Sequence, residues 1–140
     1  MTKKVVNLDE FFSTTNEREG VWHEPVIDGV PCGFELLLVG INSDENAISA
    51  ERYEKELVEA EKINNAIDKA EKIRHIEAKR FAFFVRGIRA TNGGEIRIGG
   101  KPIEYSTNLI EKLLYESLPL QLDIAEFVRK SANFMNGKKN

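Results

Sequence analysis

The sequence predicts a predominantly helical α+β domain: two short β-hairpins packed with a long central helix, straight or bent, and two C-terminal helices. Three observations carry this prediction. Apolar residues recur every three or four positions from Tyr53 to Ile76, in a stretch free of proline and with no glycine before Gly87. Two turn signals, Asp28-Gly29 and Gly99-Gly100, stand between β-branched and aliphatic residues. Ser106 and Pro119 then punctuate a leucine-rich C-terminal third.

The chain is long enough for one domain, which we divide into an N-terminal turn and β-hairpin (7–43), a long charged helix or helix pair (44–90), and a short hairpin plus two helices (95–136). With 41% hydrophobic and 31% charged residues it reads as a soluble protein, since neither disorder nor a membrane protein fits that balance. No apolar run approaches the roughly 20 residues that span a bilayer, and "MTKKVVNLDEFF" lacks the pattern of a secretory signal. The expected compartment is therefore the cytoplasm. A net charge of −3, with basic and acidic residues interleaved, gives no footprint for nucleic acid.

In chain order, Asn7 is placed to cap a helical turn "LDEFF", whose Leu8, Phe11 and Phe12 share one side and are expected to dock on the body. A strand from Val21 to Ile27 follows. Pro25 and Pro31 donate no ladder hydrogen bond, so this strand is expected at a sheet edge, with Phe34 to Ile41 as its buried partner. Ser43 or Asn42 caps the central helix, and Asp44 and Glu45 suit the positive end of its dipole. Pairs such as Glu51 with Lys55 and Asp68 with Lys72 support its solvated side.

Asn64-Asn65 is a weak point in that helix, because both side chains compete for backbone hydrogen bonds; two helices or a bend are expected there. At "FAFFVRGI" the amphipathic pattern ends. Phe81, Phe83, Phe84, Val85 and Ile88 would cover most of a helix circumference, so this end of the helix is expected to be buried on nearly all sides. "EIRIGGKPIEY" then reads as the second hairpin, with Ile96 and Ile98 on one face and Ile103 and Tyr105 on the matching face. Ser106 caps a helix with Leu109, Ile110, Leu113 and Leu114 inward. Pro119 opens the last helix, whose apolar face holds Leu120, Ile124, Phe127, Val128 and Phe134.

Chemistry-bearing motifs are sparse. The GxxxxGK[ST] phosphate loop fails at Glu95 and at Pro102, which leaves Gly99-Gly100-Lys101 as a turn. His23 and His75 lie in different elements with no metal-ligand spacing, and a Cys32–His23 dyad has no evident orienting group. "ERYEKELVEAEK" interleaves carboxylates with cations as a solvated helix face does. No catalytic, metal or cofactor residue is assigned. The remaining feature is the apolar seam Tyr53, Leu57, Ala60, Ile63, Ile67, Ala70 and Ile73, a candidate partner-binding surface for a second copy or a foreign helix.

The segments "NLDEFF", "GVW", "IDGVP", "LLLVGINSDEN…ERYEKEL" and "GKPIEYSTNLIEKLLYESLPLQLDIAEFVRKSANF" together resemble the tail assembly chaperones of long-tailed bacteriophages, over residues 7–134. The resemblance implies a non-enzymatic role in tail morphogenesis. Such a protein binds the tape-measure protein, assists tail-tube protein assembly around it, self-associates, acts in the host bacterial cytoplasm and is not expected in the mature virion. It also implies a second form made by ribosomal frameshifting, for which slippery codons at Lys138-Lys139 would serve. Two other classes compete with it: a structural head–tail or tail-tube virion component, and a small metal-dependent enzyme built from scattered Asp, Glu and His.

Overall fold

The computed structural model describes residues 3–137; Lys138-Lys139, on which the frameshift expectation rests, lies outside the described residues. The fold is predominantly helical α+β, as the sequence predicts. A single 3-10 turn (Leu8–Phe11) leads to a short helix α1 (Thr14–Glu19) and the strand β1 (Val21–His23). The small hairpin β2 (Val26–Ile27) and β3 (Val30–Pro31) follows, then β4 (Phe34–Leu38). Helices α2 (Asp44–Glu61) and α3 (Ala66–Ala82) come next, and β5 (Val85–Ala90) follows α3 after two residues. The hairpin β6 (Arg97–Ile98) and β7 (Lys101–Pro102), the helices α4 (Thr107–Glu116) and α5 (Leu118–Val128) and a 3-10 turn (Ser131–Phe134) complete the chain.

The first expected hairpin is real at its tip and larger at its base. Asp28 (φ 52°) and Gly29 (φ 79°) make a two-residue turn with both residues in the left-handed region, joining β2 to β3. Pro25 separates β2 from β1, and β1 pairs directly with β4 in the register Val21↔Leu38. β4 is the middle strand of a three-stranded antiparallel sheet, β1-β4-β5, so β1 is an edge strand as expected.

One expectation is corrected here. The central helical segment does not run to residue 90: α3 stops at Ala82, and Val85–Ala90 turns back as an edge strand. Val85 and Ile88 are β-branched, and a buried β4 offers that strand a ladder from Phe34↔Ala90 to Leu38↔Val85, interrupted by a bulge that leaves Arg86 without a strand partner. Gly87 lets the Trp22 ring lie close against it. A Cβ at that position would lie 3.3 Å from the Trp22 ring on β1, and Arg89 caps the same ring at 3.9 Å.

The inner face of the sheet presents Leu36, Leu38 and Val85 to a core completed by Phe81 and Phe84, by Ile110 and Leu114 of α4, and by Leu120, Ile124 and Val128 of α5. The C-terminal helices obey their sequence signals. Ser106 Oγ accepts from Leu109 N–H, and Ser117 Oγ accepts from Leu120 N–H, with Pro119 in the first turn of α5.

The break at Asn64-Asn65 has a specific cause. The Asn65 side chain accepts hydrogen bonds from Ile67 N–H and Asp68 N–H, each 3.0 Å, and so starts a new helix. Among the described residues the charged pairs on this helical hairpin are Glu59–Lys62, Glu71–His75 and Glu77–Arg80, in place of the expected Glu51–Lys55 and Asp68–Lys72.

The N-terminal turn is a second correction. Leu8, Phe11 and Phe12 remain exposed, and the Asn7 side chain makes no capping bond. The turn is held through its backbone instead: Asn136 N–H donates to Phe12 O (3.0 Å), Gly137 N–H to Glu10 O (3.1 Å) and Asn136 Nδ2 to Asp9 O (3.2 Å). Beside it lies a fully buried carboxylate, Glu17. It accepts from Asn42 Nδ2 (2.8 Å), Ser13 Oγ (3.0 Å) and Ser131 Oγ (3.4 Å), so its polar atoms are satisfied. Gly40 makes room for it, since a Cβ there would come within 2.6 Å of Glu17 Cγ.

Candidate interaction surface

The seam proposed from the sequence is mostly consumed by the protein itself. α2 and α3 fold against each other, and Tyr53, Ala60 and Ile76 form a buried cluster with Leu57, Ile63, Ile73 and Phe83 packed around it. Tyr53 meets Phe83 edge to face, with ring centroids 5.7 Å apart. This corrects the picture of an open ridge. Once the chain breaks at Asn65, the stripe closes on its own continuation, because the same spacing that makes one helix amphipathic makes both halves so. Only Ile67 and Ala70 of the named set stay exposed, Ile67 at 80% beside the turn.

The surface that remains open is the outer side of α2. This helix packs chiefly on α3, where Ser49 Oγ also donates to Arg80 O (3.3 Å), and beyond α3 Glu45 faces Arg86 of β5 at 3.6 Å. On its far side Ile48, Glu51, Lys55 and Val58 recur at three- and four-residue steps, and Ile48 and Val58 are about half exposed. Two shallow clefts, of about 630 Å³ and 290 Å³, follow this side. The first is walled by Glu51, Glu54 and Val58. The second runs into the α2–α3 junction at Ala60 and Ile63, between Glu59 and Lys72. Apolar floors with charged walls of both signs suit an amphipathic helix of mixed charge.

The second constellation lies at β1 and α5. His23 Nε2 is 2.7 Å from Asp123 Oδ2, and the imidazole stacks on Phe127 with ring centroids 4.0 Å apart. Asp123 is the orienting group that the sequence alone did not offer for His23, because it comes from 100 residues away. The thiol of Cys32 is nonetheless poorly suited to attack. Burial first, then the negative charges of Asp123 and Glu24, push its pKa up, away from the thiolate a nucleophile requires. The pair ties an edge strand to the last helix.

A third cluster pins α3 to α4. Arg74 donates twice to Tyr115 O (2.6 and 3.0 Å), and the Tyr115 ring meets both the Arg74 guanidinium, 4.6 Å from its centroid, and the stacked His75 ring at 4.2 Å. The Tyr115 hydroxyl donates to Glu71, which pushes its ionisation above the ordinary tyrosine value. Among the described residues, no group of three or more His, Cys, Asp or Glu side chains is placed to hold a metal ion, and no helix is long and apolar enough to cross a membrane.

Comparison of the chain with protein-family models, with curated proteins and with solved structures returns no match.

Proposed function

We propose that this protein is a phage tail morphogenesis chaperone that binds the tape-measure protein and assists tail-tube assembly without catalysing a reaction. The reading rests on the sequence resemblance and, structurally, on one observation: the outer side of α2 is a long helical face left uncovered by the body, with Ile48 and Val58 exposed along it. A tape-measure protein is a long helical ligand, and a helix laid along α2 would bury those residues between charged walls. The contact surface assigned to it is thus Ile48, Val58 and the cleft at Ile63, with Ile67 at its end.

Co-expression with the cognate tape-measure protein tests the reading. The expected result is a rise in soluble tape-measure protein and recovery of both chains in one complex, lost on the double substitution Val58→Asp with Ile67→Asp. A tape-measure protein whose solubility is unchanged by co-expression would overturn it. Detection of this chain in purified particles would favour a structural virion component instead.

A further inference from the structure

The free edge of the three-stranded sheet and the N-terminal arm of the same chain are complementary. β5 ends the strand order, so one of its sides has no strand partner among the described residues, and on it the Tyr105 hydroxyl takes only the carbonyl of the first residue, Val85 (2.7 Å). Thr91 N–H donates to Gly33 O (3.0 Å), which fixes the alternation of the β4–β5 ladder. In that alternation Ile88, opposite Leu36, directs its N–H and C=O away from β4. Charged side chains usually blunt such an edge. Here they are drawn elsewhere: Arg86 turns to Glu45 and to the carbonyls of Arg18 and Glu19, and Arg89 to Glu35 and the Trp22 ring.

Beside this edge lies a groove of about 430 Å³, whose walls include Ile88, Ile96, Ile103, Tyr105 and the carboxylates Glu95 and Glu104. Glu95 is paired with Arg97, whereas Glu104 makes no ion pair among the described residues. The arm supplies the matching chemistry. Residues 3–7, Lys-Lys-Val-Val-Asn, belong to no helix or strand, and Val5 and Val6 are 80% and 61% exposed. Two adjacent β-branched residues favour an extended strand, and the lysines before them suit an acidic groove. The root of the arm is anchored by Asn136 and Gly137, so the arm is held out from a fixed point.

We infer that the arm of one copy adds as a strand to the β5 edge of a second copy, with Val5 or Val6 in the Ile88–Ile103 groove and a lysine at Glu104. The contact is head to tail: each copy that accepts an arm still offers its own, so assembly continues past the dimer to a ring or a filament. It involves neither the outer side of α2 nor any tape-measure protein, so it stands or falls separately from the proposed function.

The test uses the full chain alone and a Val5→Asp, Val6→Asp double variant, each measured by sedimentation velocity over a concentration series and by amide hydrogen exchange. The expected result is association past the dimer that rises with concentration, together with slowed exchange of the Ile88 amide in the associated state. The variant keeps the melting temperature of the monomer, because these valines are largely exposed within the copy, and it shifts association to higher concentration on the order of tenfold or more. Three outcomes overturn the inference. In one the chain is monomeric throughout with a freely exchanging Ile88 amide. In another the monomer protects Ile88 in the parent and not in the variant, meaning that the edge takes its own arm. In the third the variant associates as well as the parent, which places the contact elsewhere.

Discussion

The core of the body draws Leu36 and Leu38 from the sheet, Phe81 and Phe84 from the end of α3, and Ile110, Leu114, Ile124 and Val128 from the last two helices. The outer part of the α2–α3 pair, by contrast, holds Tyr53, Ala60 and Ile76 with a fringe of half-buried neighbours. The first cluster is closed from several directions by segments far apart in the chain. The second is closed by two consecutive helices and open on one side. Burial of this unequal depth predicts unequal resistance to opening, with α2 expected to yield before the rest unfolds. The surface proposed to receive a partner lies on that element.

Substitutions at the two clusters should separate them. Phe84→Asp puts an unpaired charge in the body core and is expected to cost about 4 kcal/mol or more, lowering the whole cooperative transition in a urea melt followed by circular dichroism. An unchanged midpoint would show that Phe84 is not in the core. Tyr53→Ala should cost about 2 kcal/mol, and the loss should be local: hydrogen exchange speeds up through α2 while the amides of β4 and α5 keep their protection. Equal acceleration everywhere would mean that the two clusters open as one.

Asn65→Ala removes the acceptor for Ile67 N–H and Asp68 N–H and should cost about 1 kcal/mol, again read in the hairpin amides. The smallest effect is expected at Ile67→Asp, within about 0.5 kcal/mol, because the side chain is exposed and an acid suits the first turn of α3. A large drop in melting temperature there would show that Ile67 is packed.

Where a signal was local, it was legible in the sequence. Ser43, Ser106 and Pro119 mark helix starts through groups within three residues of them, and Asp28-Gly29 makes its turn with its own backbone. Asn65 also announced the break, although only the structure shows that the second asparagine carries it. β5 was harder. The loss of helical spacing after Ala82 was visible, but what replaces the helix depends on the open side of β4, some fifty residues earlier. How much of the seam stays open was hidden for a related reason. A stripe of apolar residues records that something covers it and not what, and here the cover for Tyr53 and Ala60 is the same stripe reversed across the turn. The His23–Asp123 pair and the exposure of Leu8, Phe11 and Phe12 follow from where distant segments meet, on which local spacing is silent.

The buried carboxylate of Glu17 has a bearing on the order in which the molecule is made. One of its ligands, Ser131, and the carbonyl of Phe134 that receives Asn16 Nδ2 at 2.7 Å both lie more than a hundred residues further along the chain. The helix carrying Glu17 is made before them, yet until they emerge its acid is incompletely partnered and its contact with the Ser131–Phe134 turn is missing. The helix carrying Glu17 thus settles only once residues more than a hundred positions further on have been made, while Leu8, Phe11 and Phe12 ahead of it stay exposed before and after that step.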